Sequence, residues 1–157
     1  MKKSEQNEYL DHTNKQIIKR LCEDGRIAFS ELAKELKISN SLVHQRVNKL
    51  REANIIQGFS VKLNPKDLGY KTISYTGIVT QDAKYSYAIA EKLKKVPEIV
   101  ECYWVSGKYT LFVKIVAESN EELRTILYEK VHKIEGVGST ESFISFGTAF
   151  EKNFSIK

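Results

Sequence analysis

Two short segments between residues 27 and 51 carry apolar side chains at helical spacing and meet at a tight junction. In the second segment the apolar residues are spaced i, i+4, i+7, which places them on one face of an α-helix. Ser39 stands directly before this segment, where its hydroxyl can accept a hydrogen bond from a backbone N–H of the first turn. The pattern predicts helices over about 30–36 and 40–53. Their apolar positions are Leu32, Ala33, Leu36, Val43, Val47 and Leu50.

A third helix is predicted upstream of this pair. Asp11 is placed to cap its N-terminus, and Gly25 is suited to the left-handed backbone conformation that ends helices. Because helices this short bury little surface separately, all three are predicted to share one core. The apolar positions of the upstream helix are Leu10, Ile17, Ile18 and Leu21.

The pattern changes to the alternation of β-strands after residue 54. Ile55–Ile56 predicts a short strand, and Phe59–Leu63 alternates apolar and polar residues as a half-buried strand does. The remaining elements have the order βαββαβ, which predicts an antiparallel sheet of four strands with both helices on one face. The fold class is therefore α+β, with boundaries at 1–57, 58–71 and 72–157. The four strands are predicted over 72–80, 99–105, 109–117 and 142–150, and the two helices over about 85–96 and 120–134.

The predicted sheet is apolar on both faces, although helices cover one. Apolar and aromatic residues occupy successive positions of its strands, as at Tyr103 and Trp104 or at Leu111 and Phe112, so they point to both faces of the sheet. A sheet of this kind needs a second cover. We favour the same sheet of a second subunit, since most soluble homo-oligomers close as two-fold pairs. A ligand cavity is the alternative cover.

The helix after Ser39 has a polar outer face. Its amides, hydroxyl, imidazole and long cations are the groups that bind base edges and phosphates of double-stranded DNA. Five basic residues stand against one acid, Glu35, over residues 34–51. The pattern favours a helix-turn-helix whose second helix enters the major groove, and a solvated helical hairpin is the alternative. The candidate DNA-binding residues are Asn40, Ser41, His44, Gln45, Arg46, Asn48, Lys49 and Arg51.

Side-chain chemistry divides this set into two roles. The uncharged polar residues and His44 are expected to contact base edges, and the cations are expected to hold phosphates. For Arg46, an internal pair with Glu23 or Glu31 is the alternative. Two such helices, one from each subunit, would meet successive major grooves about one turn apart, so the operator is expected to be near-palindromic.

The charge of the 157-residue chain permits binding to a polyanion. The net charge is +5 and the pI is about 9.1. Residues 1–60 contribute +3 (11 basic, 8 acidic), with the local excess in the two-helix segment. No apolar run is long enough to cross a bilayer, and no signal peptide is visible, so a cytoplasmic location without membrane contact is expected. Cys22 and Cys102 lack a C-x-x-C spacing and are expected to be reduced, buried thiols.

Catalysis has little support in the sequence. The three histidines, His12, His44 and His132, fall in different predicted helices, and no acid pairs obviously with them. No Cys/His metal spacing, Gly-rich phosphate loop or nucleophile motif is present. We therefore expect no enzyme activity, no metal site and no cofactor.

Ordered sequence motifs run from residue 10 to the C-terminus. The first half has L-D-x-x-x-x-x-I-I, D-G-R-I, E-L-A-x-x-L, S-x-S-x-V-x-x-R-V-x-x-L, I-I-Q-G-F and N-P-x-x-L-G. The second half has E-I-V-E-C-Y-x-V-S-G-x-Y, S-x-E-E-L and I-E-G-V. Each motif is loose, but their order and spacing are specific. In these motifs the chain resembles the leucine-responsive/asparagine-response (Lrp/AsnC) transcriptional regulators.

The resemblance implies a winged helix-turn-helix in 1–57, a hinge and linker strand in 58–71 and a ferredoxin-like ligand-sensing and oligomerisation domain in 72–157. The helix after Ser39 would be the recognition helix. Homodimers would form through the linker strand and the sheets, and would assemble further, commonly to octamers (tetramers of dimers). A small effector, usually an amino acid, would bind between dimers, near the hairpin at Gly107 and the loop 136–140. The implied effector-binding residues are Gly107, Lys108, Tyr109, Gly138 and Thr140.

Two positions depart from the family pattern. The helix-turn-helix junction often has Gly where this chain has Lys37, and a left-handed Lys costs on the order of 1 kcal/mol. The family hairpin usually reads Gly-Asp-Tyr-Asp, whereas this chain has Gly107-Lys108-Tyr109-Thr110. Both acidic positions are gone, so the ammonium group of an amino acid would lose its counter-charge there.

Two other functions are open on the same fold. Decarboxylases of modified haem resemble this two-domain family and hold a tetrapyrrole in the cavity, but they would not need a basic recognition face. The second alternative is an oligomeric ligand sensor that does not bind DNA.

Overall fold

The computed structural model describes residues 9–153, which divide into two compact units. The N-terminal unit comprises residues 9–62 with 151–153, and the C-terminal unit is Leu63–Phe150. The predicted outer domain bounds include residues 1–8 and 154–157, which lie outside the described part of the chain. Within the described part, no helix has both the length and the apolar character needed to cross a membrane.

The N-terminal unit consists of three helices, α1 (His12–Glu23), α2 (Phe29–Leu36) and α3 (Asn40–Glu52). All three were predicted, and their bounds agree with the sequence pattern to within about two residues. Their apolar faces share one core, as predicted. Its most deeply buried members are Ile17, Leu32, Val43, Val47 and Leu50.

Side-chain caps begin two of these helices. Asp11 accepts a hydrogen bond from the backbone N–H of Asn14 over 2.7 Å and so caps α1. Ser39 accepts from the backbone N–H of Leu42 over 3.2 Å and so caps α3. Each cap satisfies a backbone donor that has no partner within its helix. Both predicted caps are confirmed.

The backbone conformation was predicted correctly at the end of α2 but not at the end of α1. Lys37 has φ 55° and is left-handed, so the junction between α2 and α3 carries the expected strain. Gly25 is not left-handed, and that prediction is wrong. α1 ends instead because Asp24 takes an extended conformation, and its side chain accepts a hydrogen bond from the backbone N–H of Arg26 over 2.8 Å.

The segment after α3 forms no strand in the described chain. The predictions of strands at Ile55–Ile56 and Phe59–Leu63 are therefore wrong for this protomer. The N–H groups of Ile55 and Ile56 instead donate to the carbonyl oxygen of Leu50 and close the end of α3. The side chains of Phe59 and Val61 are 50% and 81% exposed. An alternating segment becomes a strand only where another strand bonds to it, and no segment within residues 9–153 does so here.

The C-terminal unit contains a four-stranded antiparallel sheet with the strand order β2-β3-β1-β4. The predicted βαββαβ arrangement is thereby confirmed. The second helix continues as a π-helical turn over Ile126–Val131. The elements are β1 (Thr72–Thr80), α4 (Ser86–Leu93), β2 (Ile99–Trp104), β3 (Leu111–Ala117), α5 (Asn120–Thr125) and β4 (Val137–Ser145).

The last strand lies five residues earlier than the predicted 142–150. Gly136, with φ 91°, reverses the chain directly before β4. β4 then pairs along β1 until Ser145 stands opposite Ile73, near the start of β1. Residues beyond Ser145 have almost no β1 left to bond with, so the apolar pattern continues without strand structure.

The two helices cover one face of the sheet and build the core of this unit with it. The strand residues of this core include Ile78, Leu111, Val113 and Ile115, which are fully buried. The strand residues at the alternate positions point to the opposite face, here called the open face. In the sheet register Tyr103 pairs with Phe112 and Tyr75 pairs with Phe143 across this face. The open face is formed by Ile73, Tyr75, Gly77, Glu101, Tyr103, Phe112, Lys114, Val116, Glu141 and Phe143.

The open face is partly apolar and partly charged. Phe143 and Tyr103 are 48% and 53% exposed. Beside them, Lys114 forms an ion pair of 3.0 Å with Glu101. The prediction that the sheet carries apolar and aromatic residues on both faces is confirmed.

The cysteines depart from the prediction. Cys22 and Cys102 are free thiols, and both are exposed, so the expectation of buried thiols is wrong. Cys22 borders the apolar side of α1 but does not reach the core. Cys102 lies on β2, an edge strand with a neighbouring strand on one side.

Candidate functional site

α3 separates an apolar side from a polar side. Val43, Val47 and Leu50 are at most 2% exposed. Because these residues share one helical face, side chains at the other angles point away from the core. Seven of the eight predicted DNA-contact residues therefore stand exposed on the outer surface of α3. They are Asn40, Ser41, His44, Gln45, Asn48, Lys49 and Arg51.

Local contacts hold two of these side chains near the start of α3. The ring of His44 meets the ring of Phe29 edge to face, with centroids 4.8 Å apart. The hydroxyl of Ser41 lies 3.0 Å from the hydroxyl of Ser39, the residue that caps the helix. Helix-turn-helix proteins contact base edges from the N-terminal part of the second helix. The ring of His44 and the hydroxyl of Ser41 thus have contacts within the chain before any ligand arrives.

Arg46 is the exception among the eight. Its Nη1 donates to Oδ2 of Asp11 over 2.5 Å and to Oδ1 of Asn14 over 3.0 Å. Of the two alternatives that the sequence left open, the structure shows internal pairing, with Asp11 as partner rather than Glu23 or Glu31. The hydrogen bonds from the backbone N–H of Asn14 and from Arg46 hold the pKa of Asp11 below its ordinary value.

A second arginine ties α1 to α2. Arg20 donates from Nε and Nη2 to the two carboxylate oxygens of Glu35 over 2.7 and 2.8 Å, and from Nη1 to Glu23 over 2.9 Å. The two hydrogen bonds that Glu35 accepts from Arg20 hold the pKa of Glu35 below its ordinary value. The α2–α3 hairpin is therefore attached to α1 by directional polar bonds as well as by the apolar core.

One charged residue at this surface was not predicted from the sequence. Glu52 is exposed in the last turn of α3, at position i+7 from Gln45, and so it shares the polar face. Together with Gln45 and Lys49 it lines a cleft of about 400 Å³ along α1 and α3. Its carboxylate places a negative charge at the C-terminal end of this polar face. The helical spacing alone could have found it.

The hairpin between β2 and β3 folds its tip over the open face. The ring of Tyr109 occupies the place of a side chain at Gly77, where an added Cβ would lie 2.5 Å from the ring atoms. Gly77 therefore gives the ring of Tyr109 its close contact with β1. The tip turns at Gly107, which has φ 117°.

A carboxylate that the sequence analysis missed joins the residues of this tip. Glu141 on β4 accepts hydrogen bonds from Nζ of Lys108 and from the hydroxyl of Tyr109. These two bonds hold the pKa of Glu141 below its ordinary value, and the same contacts raise the pKa of Lys108 and of Tyr109. The counter-charge of Lys108 could not be predicted, because it depends on the register of β4.

The structure separates the other two predicted effector residues from this cluster. Thr140 and Gly138 belong to β4 rather than to a loop, because the strand begins at Val137. Thr140 directly precedes Glu141 in β4, so the two side chains point to opposite faces of the sheet. The hydroxyl of Thr140 lies 2.8 Å from Nε2 of His132. The implied set therefore divides between the two faces of the sheet. Among the described residues, no group of three or more His, Cys, Asp or Glu side chains could hold a metal ion.

Comparisons with known proteins decide the family. A winged helix-turn-helix DNA-binding family model matches residues 10–57, and the Lrp/AsnC ligand binding domain model matches residues 76–153. The regulatory protein AsnC of Escherichia coli strain K12 is 35% identical over 140 residues, which cover 88% of this chain and 91% of AsnC. The chain belongs to the Lrp/AsnC family of DNA-binding transcriptional regulators.

Further Lrp/AsnC proteins agree in sequence and in fold. The regulator LrpA of Pyrococcus abyssi is 40% identical over 128 residues, 82% of this chain and 90% of LrpA. The solved structure of E. coli AsnC superposes with a TM-score of 0.85 at 31% identity, covering 92% of this chain and 97% of AsnC. A feast or famine regulatory protein from Mycobacterium tuberculosis, complexed with L-methionine, superposes with a TM-score of 0.87 at 26% identity, covering 94% and 99%.

The family assignment confirms the resemblance, the fold class and the function as a transcriptional regulator. The relatives carry names of regulators, so the comparisons do not favour the tetrapyrrole-decarboxylase alternative.

Proposed function

We propose that this regulator binds near-palindromic DNA as a two-fold dimer, with α3 of each subunit in the major groove. The observation that supports this most strongly is the exposed polar face of α3 opposite Val43, Val47 and Leu50. A helix held by its apolar side can present amides and hydroxyls to base edges without giving up stability.

The residues of the polar face take different roles in this proposal. Gln45 and Asn48 contact base edges, as amides do with adenine, together with the three polar residues of the first turns, Asn40, Ser41 and His44. Lys49 and Arg51 hold phosphates on either side. Arg46 is left out of the phosphate contacts, because its guanidinium already pairs with Asp11.

The dimer in this proposal is formed through the open face. An aromatic surface of this kind, with Phe143 and Tyr103 half exposed, is covered most simply by a second copy of itself across a two-fold axis. The exposed alternating residues Phe59–Leu63 supply a further segment that becomes a strand when a second subunit pairs with it. Assembly of four such dimers into an octamer, and a cytoplasmic location, complete the proposal.

The experiment is selection of binding sites from random duplex DNA, followed by titration of the selected duplex. Gln45→Ala is expected to relax the sequence preference, costing about 1–3 kcal/mol at one base pair. Lys49→Ala is expected to weaken binding to all sequences similarly and to reduce the salt slope by about one. Lys94→Ala removes an exposed lysine of the C-terminal unit and serves as the charge-matched control. Equal losses from Gln45→Ala and Lys49→Ala, without a change in salt slope, would contradict the roles.

We also propose an effector site at the hairpin tip, formed by Gly107, Lys108 and Tyr109 with Glu141. One relative binds L-methionine, but here Lys108 already neutralises Glu141, the carboxylate that could pair with an ammonium group. The proposed effector is therefore a small carboxylate, which would compete with Glu141 for the ammonium group of Lys108. Gly138 and Thr140 lie on the other face of β4 and are left out of this site.

Calorimetric titration tests the charge preference of this site. Wild type is expected to bind 2-oxo acids more tightly than the matching amino acids. In Lys108→Met the carboxylate of Glu141 is released, and the preference is expected to reverse. A wild-type preference for amino acids would contradict the assignment of Lys108.

Both alternative functions have direct tests. Binding of a tetrapyrrole would appear as a haem-like absorbance band when one is added to the purified protein. A sensor that does not bind DNA would show no change in duplex affinity on alanine substitution at Gln45 and Asn48.

A further inference from the structure

The position of Arg46 within α3 separates it from the other basic residues of the helix. It stands between the exposed Gln45 and the buried Val47, and its side chain is 26% exposed. Its Nη1 contacts both Asp11 and Asn14. The positive charge of Arg46 is therefore already paired before a phosphate approaches.

The partners of Arg46 lie at the N-terminus of α1, where Asp11 is the cap and Asn14 is the third residue of the helix. Oδ1 of Asp11 accepts the capping hydrogen bond from the backbone N–H of Asn14 over 2.7 Å, while Oδ2 accepts from Arg46. The side chain of Asn14 is 6% exposed, and its Nδ2 donates to the carbonyl oxygen of Tyr9 over 2.9 Å. Every polar atom of the Asn14 side chain is thus used, so its position is fixed on both sides.

Hydrogen bonds of this kind fix rotation and translation of a helix more tightly than apolar contacts do, because they depend on direction. The apolar stripe of α3 holds the helix against the core, but packed aliphatic side chains permit small rotations. Arg46 adds a bond on the flank of α3, at an angle between the core side and the base-facing side. A rotation of α3 about its own axis would break this bond.

The Nε atom of the guanidinium argues against a role in stability. Nε of Arg46 is buried and has no hydrogen-bond partner within residues 9–153. A buried donor without a partner lowers stability, and an apolar side chain of similar length would fill the same space without that cost. The presence of Arg46 is therefore explained better by its effect on the orientation of α3 than by a contribution to the stability of the N-terminal unit.

Base contacts and phosphate contacts respond differently to the position of α3. Paired hydrogen bonds from Gln45 or Asn48 to a base edge require close alignment, whereas attraction to phosphates tolerates small shifts. We propose that Arg46 is a positioning residue for base recognition, held by Asp11 and Asn14, and that it makes no phosphate contact. This inference rests on the proposed function of α3, because it assigns the residue that aligns that helix.

The experiment measures affinity for the selected duplex and for a scrambled duplex at several salt concentrations, using the full chain. Arg46→Met is expected to lower the ratio of the two affinities about tenfold, while affinity for the scrambled duplex and the salt slope stay at wild-type values. Asp11→Asn keeps the cap of α1 but removes the charge, and it is expected to lower the ratio by a smaller factor. Lys49→Ala is the contrasting variant, in which both affinities fall together and the salt slope decreases by about one.

The outcomes separate this inference from the proposed function. If Arg46→Met weakens both duplexes and flattens the salt dependence as Lys49→Ala does, Arg46 is a phosphate contact and the inference is wrong. An unchanged ratio in both Arg46→Met and Asp11→Asn overturns it as well. Thermal unfolding shows whether the Arg46→Met chain folds. If it does not, the ratio of the two affinities in the single variants Asp11→Asn and Arg46→Lys decides instead. A wild-type chain that does not distinguish the two duplexes overturns the proposed function and this inference together.

Discussion

The two units of this regulator use their apolar side chains in opposite ways. In the N-terminal unit the apolar faces of three helices are buried against one another, and the outer face of α3 is polar. In the C-terminal unit two helices cover one face of the sheet, while Phe143 and Tyr103 stay half exposed on the other. One unit therefore completes its core within a single chain and exposes polar groups, whereas the other leaves aromatic surface uncovered, which the proposed dimer would bury.

The largest effect is expected from opening the completed core. Leu50 is fully buried in the N-terminal unit, so Leu50→Ala removes apolar contacts and leaves a cavity, at a cost of about 2–5 kcal/mol in the free energy of unfolding. Denaturant unfolding followed by circular dichroism measures this cost, and loss of DNA binding should accompany it. Leu68→Ala is the matched control, because Leu68 is 58% exposed, and its cost is expected to stay within about 0.5 kcal/mol. Similar costs for both variants would remove the distinction between buried and exposed leucine on which the comparison depends.

The next effect is expected at the open face. Phe143→Asp places a carboxylate where the second copy would bury it, so the dimer is expected to dissociate in light scattering. In the proposed dimer each subunit supplies one recognition helix, so affinity for a duplex with two half-sites should fall about 100-fold. Tyr128→Asp is the control, since Tyr128 is 60% exposed on α5's π-helical continuation rather than on the open face. A Phe143→Asp chain that remains a dimer would show that another surface joins the subunits.

The smallest effect is expected at the ion pair of the hairpin tip. The pKa of Glu141 is below its ordinary value in the folded chain, so the contribution of this carboxylate to stability is present above its unfolded-state pKa and is lost as the pH falls through the folded-state pKa. The difference in Tm between wild type and Glu141→Gln should therefore be small at neutral pH and vanish in acid. Because the pair is exposed, solvent screening limits its size. Carboxyl NMR titration gives the complementary readout, in which Lys108→Met should raise the pKa of Glu141; a constant pKa would show that Lys108 does not stabilise the carboxylate.

The sequence predicted those features that depend on local spacing. The three helices, the caps at Asp11 and Ser39, and the βαββαβ order follow from periodicity and from capping residues, which act within a few positions of the chain. The polar face of α3 was visible for the same reason, because residues at helical spacing define a surface without knowledge of the rest of the fold.

Features that depend on distant partners were predicted poorly. Phe59–Leu63 has the alternation of a strand but bonds to no segment within the described chain, so the pattern alone could not decide its structure. The partner of Arg46 is 35 residues away, and that of Lys108 is 33 residues away. These pairings depend on the packing of α1 against α3 and on the register of β4. The left-handed conformation expected at Gly25 was wrong because the side chain of Asp24 ended the helix first.

The spacing of two half-sites gives the most direct test of a paired recognition helix. Affinity is measured for duplexes in which the selected half-sites are moved apart in steps of one base pair, with wild type and with Gln45→Ala. We predict that wild-type affinity is highest at a centre-to-centre spacing of about 10 base pairs, falls when about half a helical turn is inserted and returns when a full turn is inserted. Gln45→Ala is expected to show the same periodicity at lower affinity, because it weakens one contact in each half-site. Equal affinity at every spacing would contradict the account, because it would mean that α3 is not presented in duplicate to successive major grooves.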